Sequence, residues 1–215
     1  FESVAEGANL VSDIIASGIV PAAVEMMDQL CLIAVEEFIH AGLPVEKAAA
    51  LLIEVVGPSA GVAADVERIC QLASERGVGA IRVAADDAER ALLWKGRKSA
   101  FGAIANIMPN YYLHDTVVPR HKLAEVLDQI YEIVRRHNLQ VLNVFHAGDG
   151  NLHPLILFDG SVEGVFERVH AAGREIVKAS VNAGGVLSGE HGIGLEKRDL
   201  MPLMFTETDL SAQAD

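Results

Sequence analysis

Two cysteines in 215 residues, Cys31 and Cys70, are too few for a disulfide framework. Both fall in apolar helical patterns, which predicts buried free thiols in a reducing compartment and hence a cytoplasmic setting. Basic charge is also scarce: 17 Lys and Arg stand against 30 Asp and Glu, a formal net charge of −13. A nucleic-acid or anionic-membrane surface needs clustered Lys and Arg, and the balance here runs the other way. No run of eighteen apolar residues occurs, so no transmembrane helix is expected. A secretory signal is missing too, and the chain opens at Phe1 instead of methionine, which predicts a processed protein or a piece of a longer one.

Several familiar motifs are also missing. There is no GxxxxGK[ST] for nucleotide phosphates and no GxGxxG that follows a strand to open a helix. The metalloprotease HExxH and the CxxC zinc knuckle are absent as well.

What the chain has is apolar content: 51% hydrophobic residues and a mean hydropathy of +0.28, enough for a real core. Periodicity predicts helices over 3–17, from about 28 to 40, and over 61–76, 86–107, 122–137 and 162–183. Strands are expected at 21–27, at "AALLIEVVG" ending on Gly57, at "VGAIRVA", at 115–119, and in a hairpin over 140–158. This alternation points to an α+β fold with helices on one face of a mostly antiparallel sheet, built from ferredoxin-like units.

The hairpin carries "FHAGDGNLHP", residues 145 to 154. Asp149-Gly150 is a strong signal for a type I′ turn. Centred there, the turn would make His146 and His153 a direct cross-strand pair with Cβ atoms about 5 Å apart. Leu142, Val144 and His146 would share a face with His153, Leu155 and Leu157, leaving two imidazoles at the open end of an apolar surface. Two partly buried, hydrogen-bonded histidines are the plain alternative, but a cross-strand pair also suits one metal ion.

"GGVLSGEHGIGLEK", residues 184 to 197, packs five glycines around Glu190 and His191. Glycine at this density permits close backbone approach to a ligand, or positive φ beside it. Apart from a flexible loop, the reading is that Glu190 completes a two-His-one-carboxylate site with His146 and His153. His191, pointing away from Glu190, would then be a base. Arg97 shares a helical stripe with Leu93 and Phe101, so its guanidinium either snorkels to solvent or needs an anion, such as a substrate carboxylate.

Taken together, "WKGRKSAF", "NYYLHDTVVPR", "NVFHAGDGNLHPLILFD" and "GGVLSGEHGIGLEKRDLMP" resemble, in this order, the C-terminal domain of FAD-linked 2-hydroxyacid oxidoreductases of the vanillyl-alcohol oxidase superfamily. "SGIVPAAVEMMD" and "LLIEVVG" look like its early strands, so the resemblance covers nearly the whole chain, 1–215. It implies a substrate or cap domain whose partner, an N-terminal domain absent from this chain, holds most of the FAD. It also implies a divalent ion, commonly zinc, at His146, His153 and Glu190. His191 then matches the proton-abstracting base and Arg97 the arginine that grips the substrate carboxylate, while Gly189 and Gly192 let the loop approach flavin and substrate. Pro154 and Leu155 stand where members acting on hydroxyglutarate tend to carry a polar residue, which favours a small acid such as glycolate or lactate. The resemblance leaves room for partner subunits in electron transfer, which would hold a cytoplasmic enzyme at the inner face of the membrane. Two other readings compete: a flavin-free metal hydrolase using the same His/His/Glu site, and a non-catalytic ferredoxin-like module binding a small ligand.

Overall fold

Ser3 opens the first helix with a capping box: its hydroxyl accepts from the Glu6 N–H, and the Glu6 carboxylate accepts from the Ser3 N–H. Helix α1 (Val4–Ala16) buries Leu10, Val11 and Ile14 at helical spacing, and Gly18 follows its end at φ +88°. In the computed structural model, which describes residues 1–214, the elements then run β1 (Ala23–Asp28), α2 (Gln29–Ile39), β2 (Ala49–Glu54), α3 (Ser59–Glu75), α4 (Asp87–Lys98) and α5 (Ala100–Ile104). They continue with β3 (Asn110–Leu113), β4 (Thr116–Val117), α6 (Leu123–Arg136), β5 (Gln140–His146), β6 (Asn151–Leu152), β7 (Pro154–Phe158), α7 (Val165–Asn182) and α8 (Glu207–Ala214). No helix among the described residues is long and apolar enough to cross a membrane.

Every pairing in the sheet is antiparallel, in the order β2-β1-β5, with β6 and β7 beside β5 and with β4 and β3 at the far edge. The α+β architecture is therefore as expected. The placement of the helices is not. Val24, Met26 and Phe145 pack with α1, α6 and α7, whereas Met27, Leu142, Val144, Leu155 and Leu157 pack with α2 and α5. Both faces are covered because strands such as "VLNVF" are apolar on both sides, and each side needs a cover. Strands β1 and β2, joined by α2, are direct neighbours, where a ferredoxin-like split β–α–β unit would hold a third strand between them.

The expected strand at 78–84 is not formed. β2 pairs only with β1, and the 78–84 segment lies apart from it across an apolar groove of about 760 Å³. Arg82 anchors that segment by side-chain bonds to the Ala41 carbonyl and Glu89, and no ladder forms. The helix expected over 86–107 bends at Ser99 into the separate short α5. β3 and α8 were not expected from periodicity; β3 is only four residues long and begins in exposed positions. Cys31 is buried and Cys70 half-buried, both as free thiols.

Candidate metal and substrate site

The turn is centred one residue earlier than its Asp-Gly signal implies, which slips the cross-strand register by two. A short 3-10 turn, Ala147–Asp149, ends on Gly150 at φ +70°, so His146 pairs with Asn151 and Asn143 with Pro154. In this register Val144, not His146, stands opposite His153. The expected direct pairing of the two histidines is thus corrected to a diagonal one. In the displaced turn Gly150 fits against Val118: a Cβ there would lie 2.2 Å from the Val118 carbonyl oxygen. An even slip leaves every side chain on its original face. His146 and His153 still meet, with ring centroids 5.2 Å apart in an edge-to-face arrangement.

His153 also interrupts its strand. The β3–β7 and β4–β6 ladders share one register, so both strands are single lines broken where Asp115 faces His153. On the other side of β5, Glu25 of β1 is the register partner of His146. Two adjacent rows of the sheet, Glu25–His146 and Met27–Val144–His153–Asp115, therefore bring Glu25, His146, His153 and Asp115 to the same face as Met27, Val144 and Leu155. That face carries an apolar core at one end and this polar cluster at the other.

Glu25 is buried and binds two neighbours. One carboxylate oxygen lies 2.8 Å from His146 Nδ1, and the other accepts from Arg97 Nε at 2.9 Å, with Arg97 Nη2 2.7 Å away in an ion pair. Burial alone would raise the Glu25 carboxyl, but the His146 bond and the Arg97 charge hold it below its ordinary value. The same bond raises His146. Arg97 therefore does meet an anion, as its place on an apolar stripe requires, and within this chain that anion is Glu25. Its Nη1 is the nitrogen left to offer elsewhere. Because Nδ1 of His146 is turned to Glu25, Nε2 is the atom it presents to the site.

The glycine-rich loop reaches the site through Asp115. One Asp115 oxygen accepts from Ser188 Oγ at 2.6 Å and from the backbone N–H groups of Gly189, Glu190 and His191 at 2.9, 3.0 and 2.9 Å. Gly189 is needed there, since a Cβ would lie 2.6–2.7 Å from the Asn151 amide. Its requirement is thus internal to the chain, whereas Gly192, at φ +84° with open space around it, leaves its backbone approachable from outside. The loop brings Glu190 Oε1 to 3.3 Å from His153 Nε2 and 3.7 Å from His146 Nε2. His191 does not point away from Glu190 as expected: its Nε2 lies 3.5 Å from the same oxygen, and its ring stacks on His153 at 5.0 Å.

The donor set fits a divalent cation. His153 is 3% exposed, its Nε2 has no hydrogen-bond partner, and burial lowers its pKa to about 4, which leaves a neutral ring with a lone pair. One ligand atom from each of His146, His153 and Glu190 lies within 4.8 Å of the others. Neighbouring ligands of a tetrahedral ion are separated by about 3.4 Å when each lies 2.0–2.1 Å from it. The Glu190-to-histidine separations are of that size. A buried imidazole nitrogen turned toward a carboxylate without a hydrogen bond to it is a costly arrangement unless something else binds there.

Glu25 and Asp115 are the two site residues that the motifs alone did not single out. Glu25 is an acid inside the apolar strand "AVEMMD", and Asp115 follows a buried histidine in "LHDTVVP". Charge at such positions is a signal in itself, because a buried carboxylate needs partners. Tyr112 and His114 do not line the cluster; Tyr112 packs against His114 and His170.

Comparison with known proteins gives one family. Residues 1–215 match the family model "FAD linked oxidases, C-terminal domain". Glycolate oxidase subunit GlcD of Escherichia coli K12 is 46% identical over 211 residues, covering 98% of this chain and 42% of that protein. Its namesake in Bacillus subtilis is 34% identical, covering 99% and 45%. The mitochondrial cytochrome D-lactate dehydrogenase of Arabidopsis thaliana is 27% identical, covering 100% and 37%. The chain thus spans less than half the length of these relatives. Among solved structures, substrate-bound p-cresol methylhydroxylase superposes with a TM-score of 0.66 at 15% identity over 87% of this chain and 43% of that one. The isoeugenol complex of 4-ethylphenol oxidase from Gulosibacter chungangensis gives 0.64 at 13%, over 100% and 48%. These two establish a shared fold.

Proposed function

The chain belongs to the C-terminal domain family of FAD linked oxidases, and from that premise we propose that it forms the substrate side of a flavoenzyme oxidising a small D-2-hydroxy acid, glycolate or D-lactate, to the 2-oxo acid. The observation that carries the reading is the buried, unpartnered Nε2 of His153 beside His146 and Glu190. Those three residues would hold a divalent ion, with zinc the best match to two imidazoles and one carboxylate. When bound, such an ion supplies the Lewis acidity that lowers the pKa of a coordinated hydroxyl. FAD, held mainly by a part of the protein outside this chain, supplies the two-electron acceptor.

The residues of this chain do the rest. Glu25 holds Nδ1 of His146, so that Nε2 faces the site. His191, exposed at the mouth and stacked on His153, takes the proton of the 2-hydroxyl on its imidazole. Arg97 offers Nη1 to the substrate carboxylate while Glu25 fixes the other side of the guanidinium. Buried Pro154 and Leu155 provide no polar group for a second, distal carboxylate, which supports a small acid.

A visible spectrum of the full-length protein tests this directly. Addition of D-lactate or glycolate should bleach the flavin band, and metal analysis should find about one divalent ion per chain. A spectrum unchanged by either acid would overturn the proposal.

A further inference from the structure

We infer that Asp115 is a positioning residue, holding Glu190 and His191 against the strand that carries His153; this rests on the site reading above.

Beyond the Val117–Val186 bridge at its start, the glycine-rich loop has few other means of staying in place. Leu187 is its one buried apolar anchor before Glu190, and Glu190 and His191 are themselves exposed. Four donors from four consecutive residues, Ser188 to His191, converge on a single Asp115 oxygen at 2.6–3.0 Å. Three successive backbone N–H groups around one anion form a nest, and charge-assisted bonds of this kind are about twice as strong as neutral ones. Ser188 tightens the nest by also accepting from the Gly192 N–H at 2.8 Å.

Asp115 is in turn held from behind. It is 1% exposed, faces His153 across the sheet, and its main-chain carbonyl accepts from the buried Lys197 ammonium. Its second oxygen lies 3.5 Å from His153 Nε2 and is within 2.7 Å of the Asn151 amide nitrogen in the orientation that satisfies both groups. A single carboxylate therefore links the glycine-rich loop to the strand pair. The carboxylate oxygen of Glu190 and the ring of His191 are fixed relative to His153 because their own N–H groups end on the residue opposite His153.

Asp115→Asn tests this in the full-length protein. The change is nearly isosteric, so the strand pair should survive, but the nest loses its negative charge. Hydrogen exchange of the amides at 189–191 should speed up at least tenfold in metal-free protein, with the rest of the domain unchanged. In the loaded enzyme kcat should fall 10- to 100-fold while KM for the hydroxy acid changes less than threefold, because Arg97 is untouched. Ser188→Ala, at a half-exposed position, should shift both readouts in the same direction by a smaller factor, and it stands in if the first variant does not fold. Unchanged exchange at 189–191 would overturn the inference, as would faster exchange spread through the whole domain. A wild-type protein without dehydrogenase activity would instead defeat the site reading, and the exchange experiment would still decide the role of Asp115.

Discussion

His153 and His114 are both buried with ring nitrogens that meet no hydrogen-bond partner, and they must be neutral in the folded protein. Burial lowers His114 to about 3 and His153 to about 4, whereas either residue takes a proton near pH 6.5 once unfolded. The unfolded chain then binds more protons than the native one below that pH. The stability these neutral rings preserve is present above about pH 6.5 and is lost as pH falls toward 3–4. Between pH 7 and 5.5 the metal-free protein should lose about 1 kcal/mol for each of the two histidines, and His114→Leu should remove about half of that slope in urea titrations. Bound metal should protect the His153 share. Kinetics separate the other residues. His191→Ala should lower kcat by about 10²–10⁴-fold with metal content retained, whereas His146→Ala should lose metal and activity together. If His191→Ala loses metal just as readily, His191 is a ligand and another group is the base. Glu25→Gln should weaken metal affinity by about 10–100-fold, since the amide no longer holds His146 Nδ1 with a charge.

At the scale of elements, the hairpin shows how a turn can be displaced while its consequence survives. Asp149-Gly150 is a turn signal and does lie in the turn, but the turn is centred one residue nearer Ala147, with Gly150 abutting Val118. The slip is even, so the faces of the flanking strands are kept. An odd slip would have put His146 among Phe145's neighbours on the opposite core. Gly150→Ala is therefore expected to be severe: it combines a positive φ with a Cβ 2.2 Å from a backbone oxygen. We expect a loss of more than about 2 kcal/mol in equilibrium unfolding, where Gly192→Ala, at φ +84° in open space, should cost about 1 kcal/mol. Equal costs at the two positions would show that the Val118 contact is unimportant.

For the whole molecule, the sheet is a partition with a separate core on each side. α1, α6 and α7 close one face; α2 and α5 close the other, and α4 brings Arg97 to the polar end of it. Two filled cores should let these residues fold by themselves. Expressed alone, it should unfold cooperatively and bind a divalent ion, yet remain colourless. Stoichiometric FAD in such a preparation would show that the flavin site lies within these residues.

Spacing and composition by themselves determined much of this protein: the α1, α2, α3, α6 and α7 helices, the hairpin, the antiparallel α+β class, and the meeting of His146 with His153 across that hairpin. Those features depend on periodicity and on local turn and glycine chemistry, which act over a few residues and are written in the chain. Three results needed the tertiary structure. The 78–84 segment, rich in apolar and β-branched residues, stays unpaired, because a strand exists only where a partner edge is presented to it. The helices divide between two faces because a doubly apolar strand does not state which helix covers which side. Glu25 and Asp115 lie 121 and 75 residues from the groups they hold, His146 and Glu190. Nothing local to either acid identifies those partners; only the strand order β1-β5 and the β4–β6 edge brings a buried charge to the group that stabilises it.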